Sequence, residues 1–173
     1  MNYATIKKHD VANGVGIRVS LFVSGCTHHC KGCFNAEAWD FDYGTPYTQN
    51  VEQEILHALE PSYVRGLSLL GGEPFEIQNQ PDLLALLVKV KERFPAKSVW
   101  CYSGYTLEDD ILSGRLGENA LQMLRYIDVL VDGEFVEAKK DLSLRFRGSS
   151  NQRIIDIPST LASGETVICS NFT

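Results

Sequence analysis

The chain has 173 residues, 44% hydrophobic and 22% charged, which is ordinary for a folded domain and excludes disordered and fibrous classes. A net charge of −6, with no Lys/Arg run, argues against a general nucleic-acid binder. No stretch approaches the ~18 apolar residues that span a bilayer, and the opening MNYATIKKHDVANG lacks the apolar segment of a signal peptide, so a cytoplasmic protein with no membrane or nucleic-acid partner is expected.

Residues 17–24, IRVSLFVS, are rich in branched and aromatic side chains and predict a strand running into Gly25-Cys26. Positions 51–59 carry apolar residues at helical spacing, with Thr48 or Asn50 as the cap. GLSLL (66–70) predicts a short buried strand closed by Gly71-Gly72, and Pro81 opens a helix that stops before Pro95. SVWCYS (98–103) is the next strand, 118–126 a helix, and DVLV (128–131) a strand ending at Asp132-Gly133. RFRGSSNQR (145–153) reads as an exposed polar loop, followed by short apolar runs.

Strands alternating with helices predict an α/β fold with a mostly parallel sheet. A complete eight-fold barrel takes ~250 residues, so this chain supplies only a partial, incomplete TIM-like barrel. No linker divides it, and one domain is expected over 1–173, with an irregular C-terminal extension over 153–173. Gly25-Cys26, Gly71-Gly72 and Asp132-Gly133 all follow strands, at the edge where α/β folds bind ligands.

Cys26, Cys30 and Cys33 are spaced CxxxCxxC in one loop, and the other two of five cysteines, Cys101 and Cys169, stand alone on predicted strands as buried small side chains. An odd set in a reducing compartment favours metal or reactive thiols over disulfides. Structural zinc is one reading, with His28 or His29 as fourth ligand, but such sites draw on two separated pairs. An iron–sulfur cluster is the other. Three thiolates leave one iron of a four-iron cluster open to a small molecule, which favours chemistry there over electron storage.

CTHHCKGCF (26–34) resembles the CxxxCxxC-aromatic motif of radical S-adenosylmethionine (SAM) enzymes. NGVGIRVSLFVSGC (13–26), GGEP (71–74), YSGY (102–105), DVLVDGEF (128–135) and RGSSNQ (147–152) occur in the order of one branch, the activating proteins of the anaerobic ribonucleotide reductase, over about residues 1–153. Val15 departs from the proline many relatives carry there, and the tail is longer.

The resemblance implies a radical SAM fold, with Cys26, Cys30 and Cys33 as ligands of a 4Fe–4S cluster whose open iron takes SAM. It implies that Gly71, Gly72, Glu73 and Pro74 meet the SAM amino group; a tight turn with a solvated glutamate is the plain alternative. It places Phe34 on the adenine, with Gly32 and Cys33 giving backbone contacts. Asp132 is expected at a ribose hydroxyl or partner backbone, or else as a turn cap. Arg147 and 148–152 are expected at the partner, at the SAM carboxylate, or in a surface loop. His28 and His29 read as solvated loop residues, and Trp39 and Asp40 receive no role.

The implied reaction is one-electron reductive cleavage of SAM to methionine and a 5′-deoxyadenosyl radical, which takes the α-hydrogen of a glycine in the reductase large subunit. A low-potential donor such as flavodoxin supplies the electron. One alternative uses the same residues, an activase of another glycyl-radical enzyme such as pyruvate formate-lyase; a second, a non-catalytic iron–sulfur or zinc module, has GGEP and the open iron against it.

Overall fold

In the computed structural model, which describes residues 1–172, alternation along four adjacent strands builds the scaffold. β1 is Asn2–Asp10, β2 Ile17–Val23, β3 Thr45–Pro46, β4 Val64–Gly71, β5 Ser98–Tyr102, β6 Val129–Asp132 and β7 Arg153–Asp156. They form one open sheet in the order β3-β1-β2-β4-β5-β6-β7. The central β2, β4, β5 and β6 run parallel, while β1 on β2, β3 on β1 and β7 on β6 are antiparallel.

One face of the sheet is apolar and covered by α1 (Gln49–Ala58), α2 (Gln80–Arg93) and α3 (Glu118–Leu124). Val19, Leu21 and Val23 of β2, Leu67 and Leu69 of β4, and Val99 and Cys101 of β5 form this core with Ile55, Leu56, Leu83, Leu86, Leu87 and Val90. Each buried Leu or Val contributes roughly 1.5–3 kcal/mol, and Leu87→Ala would cost about 2–5 kcal/mol. Thr48 is the α1 cap, its Oγ1 accepting from Val51 N–H at 3.4 Å, and Pro81 sits in the first turn of α2, whose missing N–H is no loss there.

The intervening positions of the same strands face the other way and are largely polar: Arg18, Ser20, Ser68 and Tyr102, with Trp100. The Arg18 guanidinium is fully buried and donates to Ser68 Oγ (2.7 Å), Ser98 Oγ (3.0 Å), and the Val15, Leu67 and Ser98 carbonyls. Burial pulls it down to about 10, so it stays charged at neutral pH. Trp100, Val131 and Ile154 close this face against Phe146 and Phe172.

The tail differs from expectation. Residues 153–163 are not irregular: β7 pairs with β6, and α4 (Ile157–Ser163) follows, capped by Asp156 Oδ1 accepting from Ser159 N–H at 2.9 Å. The 145–153 stretch is not simply exposed either, because Ser149 is fully buried and Gln152 ties Gly148, Ser149 and Gly133 together. Cys101 is fully buried as expected, and Cys169 half-buried. Among the described residues, no helix is long and apolar enough to cross a membrane.

Candidate functional site

Two loops leave neighbouring parallel strands at their C-terminal ends. The first follows β2 and carries Cys26, Cys30 and Cys33; the second follows β4 and carries Gly72 to Glu76. The backbone joins them, since Gly72 N–H donates to Val23 O (2.7 Å) and Glu73 N–H to Gly25 O (2.8 Å). A side chain at Gly72 would overlap the Gly25 carbonyl oxygen, so only glycine permits this approach.

The three cysteines are free, and all three border one cavity of about 550 Å³ together with Gly32, Phe34, Gly71, Gly72 and Glu73. Burial, with Glu73 and Glu76 adding to it, pushes the Cys26 thiol up to about 12; burial, then Glu134, raises that of Cys30. Thiols of this kind ionise when a cation arrives and displaces their protons. Among the described residues, no three His, Cys, Asp or Glu side chains converge on a single-ion site. One zinc asks for sulfurs held by bonds of about 2.3 Å to a common centre, whereas a four-iron cluster takes its thiolates at separate corners. Three free thiols bordering one cavity are a donor set that an iron–sulfur cluster can use.

Phe34 is 87% exposed at this cavity, an unpartnered aromatic face beside Cys33. Gly32, at φ +75°, lets the loop turn against Glu137. Glu73 departs from expectation: it is 1% exposed, and both carboxylate oxygens are engaged. Oε1 accepts from Phe75 N–H (2.8 Å) and Ser103 Oγ (2.9 Å), and Oε2 accepts from Gly104 N–H (2.7 Å). Its side chain is a brace between strand ends, at the border of the cavity that Gly71 and Gly72 also line. Pro74 is buried and does not border the cavity.

His28 is not a solvated loop residue. Its side chain is 10% exposed, with Nδ1 2.8 Å from Glu134 Oε1, Nε2 3.3 Å from Glu73 Oε2, and the ring edge-on to Tyr105 at 4.3 Å. Burial pulls its imidazolium down, but the two carboxylates outweigh that and hold it at about 9. The ring occupies the space left by the absent side chain of Gly104, where a methyl would fall 2.7 Å from it. Only the glycine of YSGY hinted at this in the sequence. His29 is exposed and lies 4.6 Å from Trp39, giving that tryptophan a contact that sequence reasoning missed.

Asp132 is fully buried, accepting from Leu107 N–H at 2.9 Å and from Arg153 Nε at 2.9 Å, with a further bond from Arg153 Nη2. It clamps β7 instead of facing the cysteine-lined cavity. Arg147 does border that cavity, with Nη1 donating to Gln152 O at 2.9 Å.

A family model described as a 4Fe-4S single cluster domain matches residues 12–155. The chain is 42% identical over 154 residues to the anaerobic ribonucleoside-triphosphate reductase-activating protein of Escherichia coli (strain K12), covering 88% of this chain and 96% of that one. The protein of the same description from Vibrio cholerae is 44% identical over 156 residues, at 89% and 97% coverage. That of Enterobacteria phage T4 is 41% identical over 156 residues, at 89% and 93%.

Proposed function

The chain belongs to the family of anaerobic ribonucleoside-triphosphate reductase-activating proteins, and from that premise we propose that it is a radical SAM activase of an anaerobic ribonucleotide reductase. The observation that carries this reading is the single cavity bordered by three free cysteines, an exposed phenylalanine and the Gly71-Gly72 turn. Cys26, Cys30 and Cys33 hold a 4Fe–4S cluster, and SAM binds beside it. When bound, these groups supply a one-electron reductive cleavage and the hydrogen-atom abstraction that leaves a glycyl radical on the reductase.

The chain's own residues bind and orient. The Gly71-Gly72 main chain approaches the SAM ammonium closely because no side chain intervenes. Phe34 stacks on the adenine, and Glu73 holds the ends of β4 and β5 in register beneath it. The open sheet, in this reading an incomplete radical SAM barrel, leaves the cavity accessible to a glycine-bearing loop of the large subunit. A low-potential donor such as flavodoxin supplies the electron.

The test is 5′-deoxyadenosine formation from SAM, measured anaerobically on iron- and sulfide-reconstituted protein with a strong reductant. Cys30→Ser is expected to lose cluster iron and product together. Product-free wild-type protein carrying a four-iron cluster, alone and with the reductase subunit, would overturn the reading. So would a full cluster in Cys30→Ser.

A further inference from the structure

Phe146 lines the cysteine-lined cavity with its backbone in the left-handed region, at φ +57°. A bulky residue rests there only where its surroundings dictate it, and such outliers gather at ligand clamps. No step of the proposed reaction uses this residue.

Phe146 belongs to a loop whose ends are tied by a Lys140–Ser149 bridge and by Ser150 N–H donating to Lys139 O at 2.9 Å. Leu142, Leu144, Phe146 and Arg147 of this loop form one wall of the cavity. Leu142 is 90% exposed, so the tip has little packing of its own. The wall meets the sheet through its aromatic ring. Phe146 stands edge-on to Trp100 of β5 at 5.2 Å and to Phe172 at 5.4 Å, and Phe172 closes the triangle on Trp100 at 5.6 Å. The Arg145 guanidinium lies over both phenylalanines, at 5.4 Å from Phe146 and 6.0 Å from Phe172.

Phe172 is brought there by the tail that follows α4. Asp156 N–H of β7 donates to Val167 O (2.9 Å), and Cys169 N–H to Ile154 O (2.8 Å), so the tail runs along the edge of β7 that β6 leaves free. Val167 N–H also donates to Thr160 Oγ1 at 2.9 Å. This tail lies beyond residues 12–155 of the family match. It covers a sheet edge and sets its ring on the face away from the helices, against the wall residue that carries the strain.

We propose that Phe172 is a positioning residue for the ligand of the cysteine-lined cavity: the C-terminal tail holds the Phe146 ring against Trp100 and so fixes the 142–147 wall. The inference rests on the activase reading for the identity of that ligand, SAM.

The test compares Phe172→Ala, which removes the ring, with Phe172→Tyr, which keeps it. Trypsin cleavage after Arg145 and Arg147 in the metal-free protein reads the wall with no ligand present. Equilibrium dialysis of SAM against the reconstituted protein, without reductant, reads the consequence. In Phe172→Ala the wall should be cut several-fold faster, while cleavage after Lys89 and Lys91 of α2 stays as in wild type. The same variant should bind SAM roughly three- to tenfold more weakly at wild-type cluster iron. Phe172→Tyr should match wild type in both. In a Phe146→Ala background, Phe172→Ala should cost no further SAM affinity, because the tail acts through that ring. Unchanged wall cleavage or unchanged SAM affinity in Phe172→Ala overturns the proposal. Faster cleavage throughout the chain does so too, since it marks a general loss of stability, as do additive affinity losses in the double variant. Wild-type protein that carries the cluster but binds no SAM sinks the activase reading, and the cleavage comparison still decides whether Phe172 holds the wall.

Discussion

The loop after β2 and the loop after β4 meet at one cavity, yet they are built in opposite ways. The cysteine loop is open: Thr27, His29, Lys31, Gly32 and Phe34 are exposed, and Cys33 N–H to Cys30 O (3.1 Å) is its own internal backbone bond. The Glu73 loop is closed: Glu73, Phe75, Glu76 and Asn79 are all buried. Asn79 Nδ2 donates to the Ser24 and Glu73 carbonyls, both at 3.0 Å, and Gln80 Nε2 to Phe75 O at 2.7 Å. The closed loop also supplies what the open one lacks. Glu76 Oε1 accepts from Thr27 N–H (2.7 Å) and Thr27 Oγ1 (2.6 Å), and Glu73 meets His28. A ligand-bearing loop can stay open and adaptable when a rigid neighbour holds it.

The largest effect is expected from breaking the holder. Glu73→Ala leaves Phe75 N–H, Gly104 N–H and the Ser103 hydroxyl without their acceptor in a buried region. The expected loss is about 3–5 kcal/mol, which lowers Tm by roughly 10 °C in a chain of this size. Calorimetry of the metal-free protein measures it directly. A shift under about 2 °C would mean that Glu73 is not the brace described.

Glu76→Ala tests the link between the loops. Thr27 is exposed, so water replaces part of what is lost, and the expected destabilisation is only about 1 kcal/mol. The informative readout is iron retained after reconstitution, which should fall because Cys26 adjoins the freed residue. Glu76→Gln keeps an acceptor and should lie between the two. Full iron retention in Glu76→Ala would show that the cysteine loop holds itself.

The same contrast explains what the sequence made legible. Strands β2, β4, β5 and β6 and helices α1 and α2 announce themselves because their apolar residues recur at strand or helix spacing toward the core, and Thr48 and Pro81 mark helix starts chemically. β1 does not: NYATIKKHD is polar, and its place comes from backbone pairing with β2 and β3. β7 lies just past a polar stretch and becomes a strand by pairing with β6. At the site, spacing shows which residues share a loop but not which of their atoms are taken. That the cysteine loop and Gly71-Gly72 border one cavity follows from their places after β2 and β4. The burial of Glu73, Asp132 and His28 was not legible, because their partners Ser103, Arg153 and Glu134 are distant in sequence.

The smallest expected effect comes from placing the same kind of carboxylate in water. Glu108 accepts from Arg153 Nη1 at 3.0 Å and Nη2 at 2.6 Å, and from Thr166 Oγ1, but its side chain is 43% exposed. Arg153, chiefly through these hydrogen bonds, holds its carboxyl down at about 2 from an ordinary 4.5. A depressed carboxylate contributes stability that is present above the ordinary value and lost as pH falls from 4.5 towards 2. Solvent screening keeps that contribution under about 1 kcal/mol. Wild type should therefore exceed Glu108→Gln slightly in urea stability near pH 6 and lose that margin near pH 3. Added salt should narrow the margin at the higher pH. A gap that stays constant across the range would show that Glu108 works through packing rather than charge. A gap as large as that of Glu73→Ala would show that burial is not what separates the two glutamates.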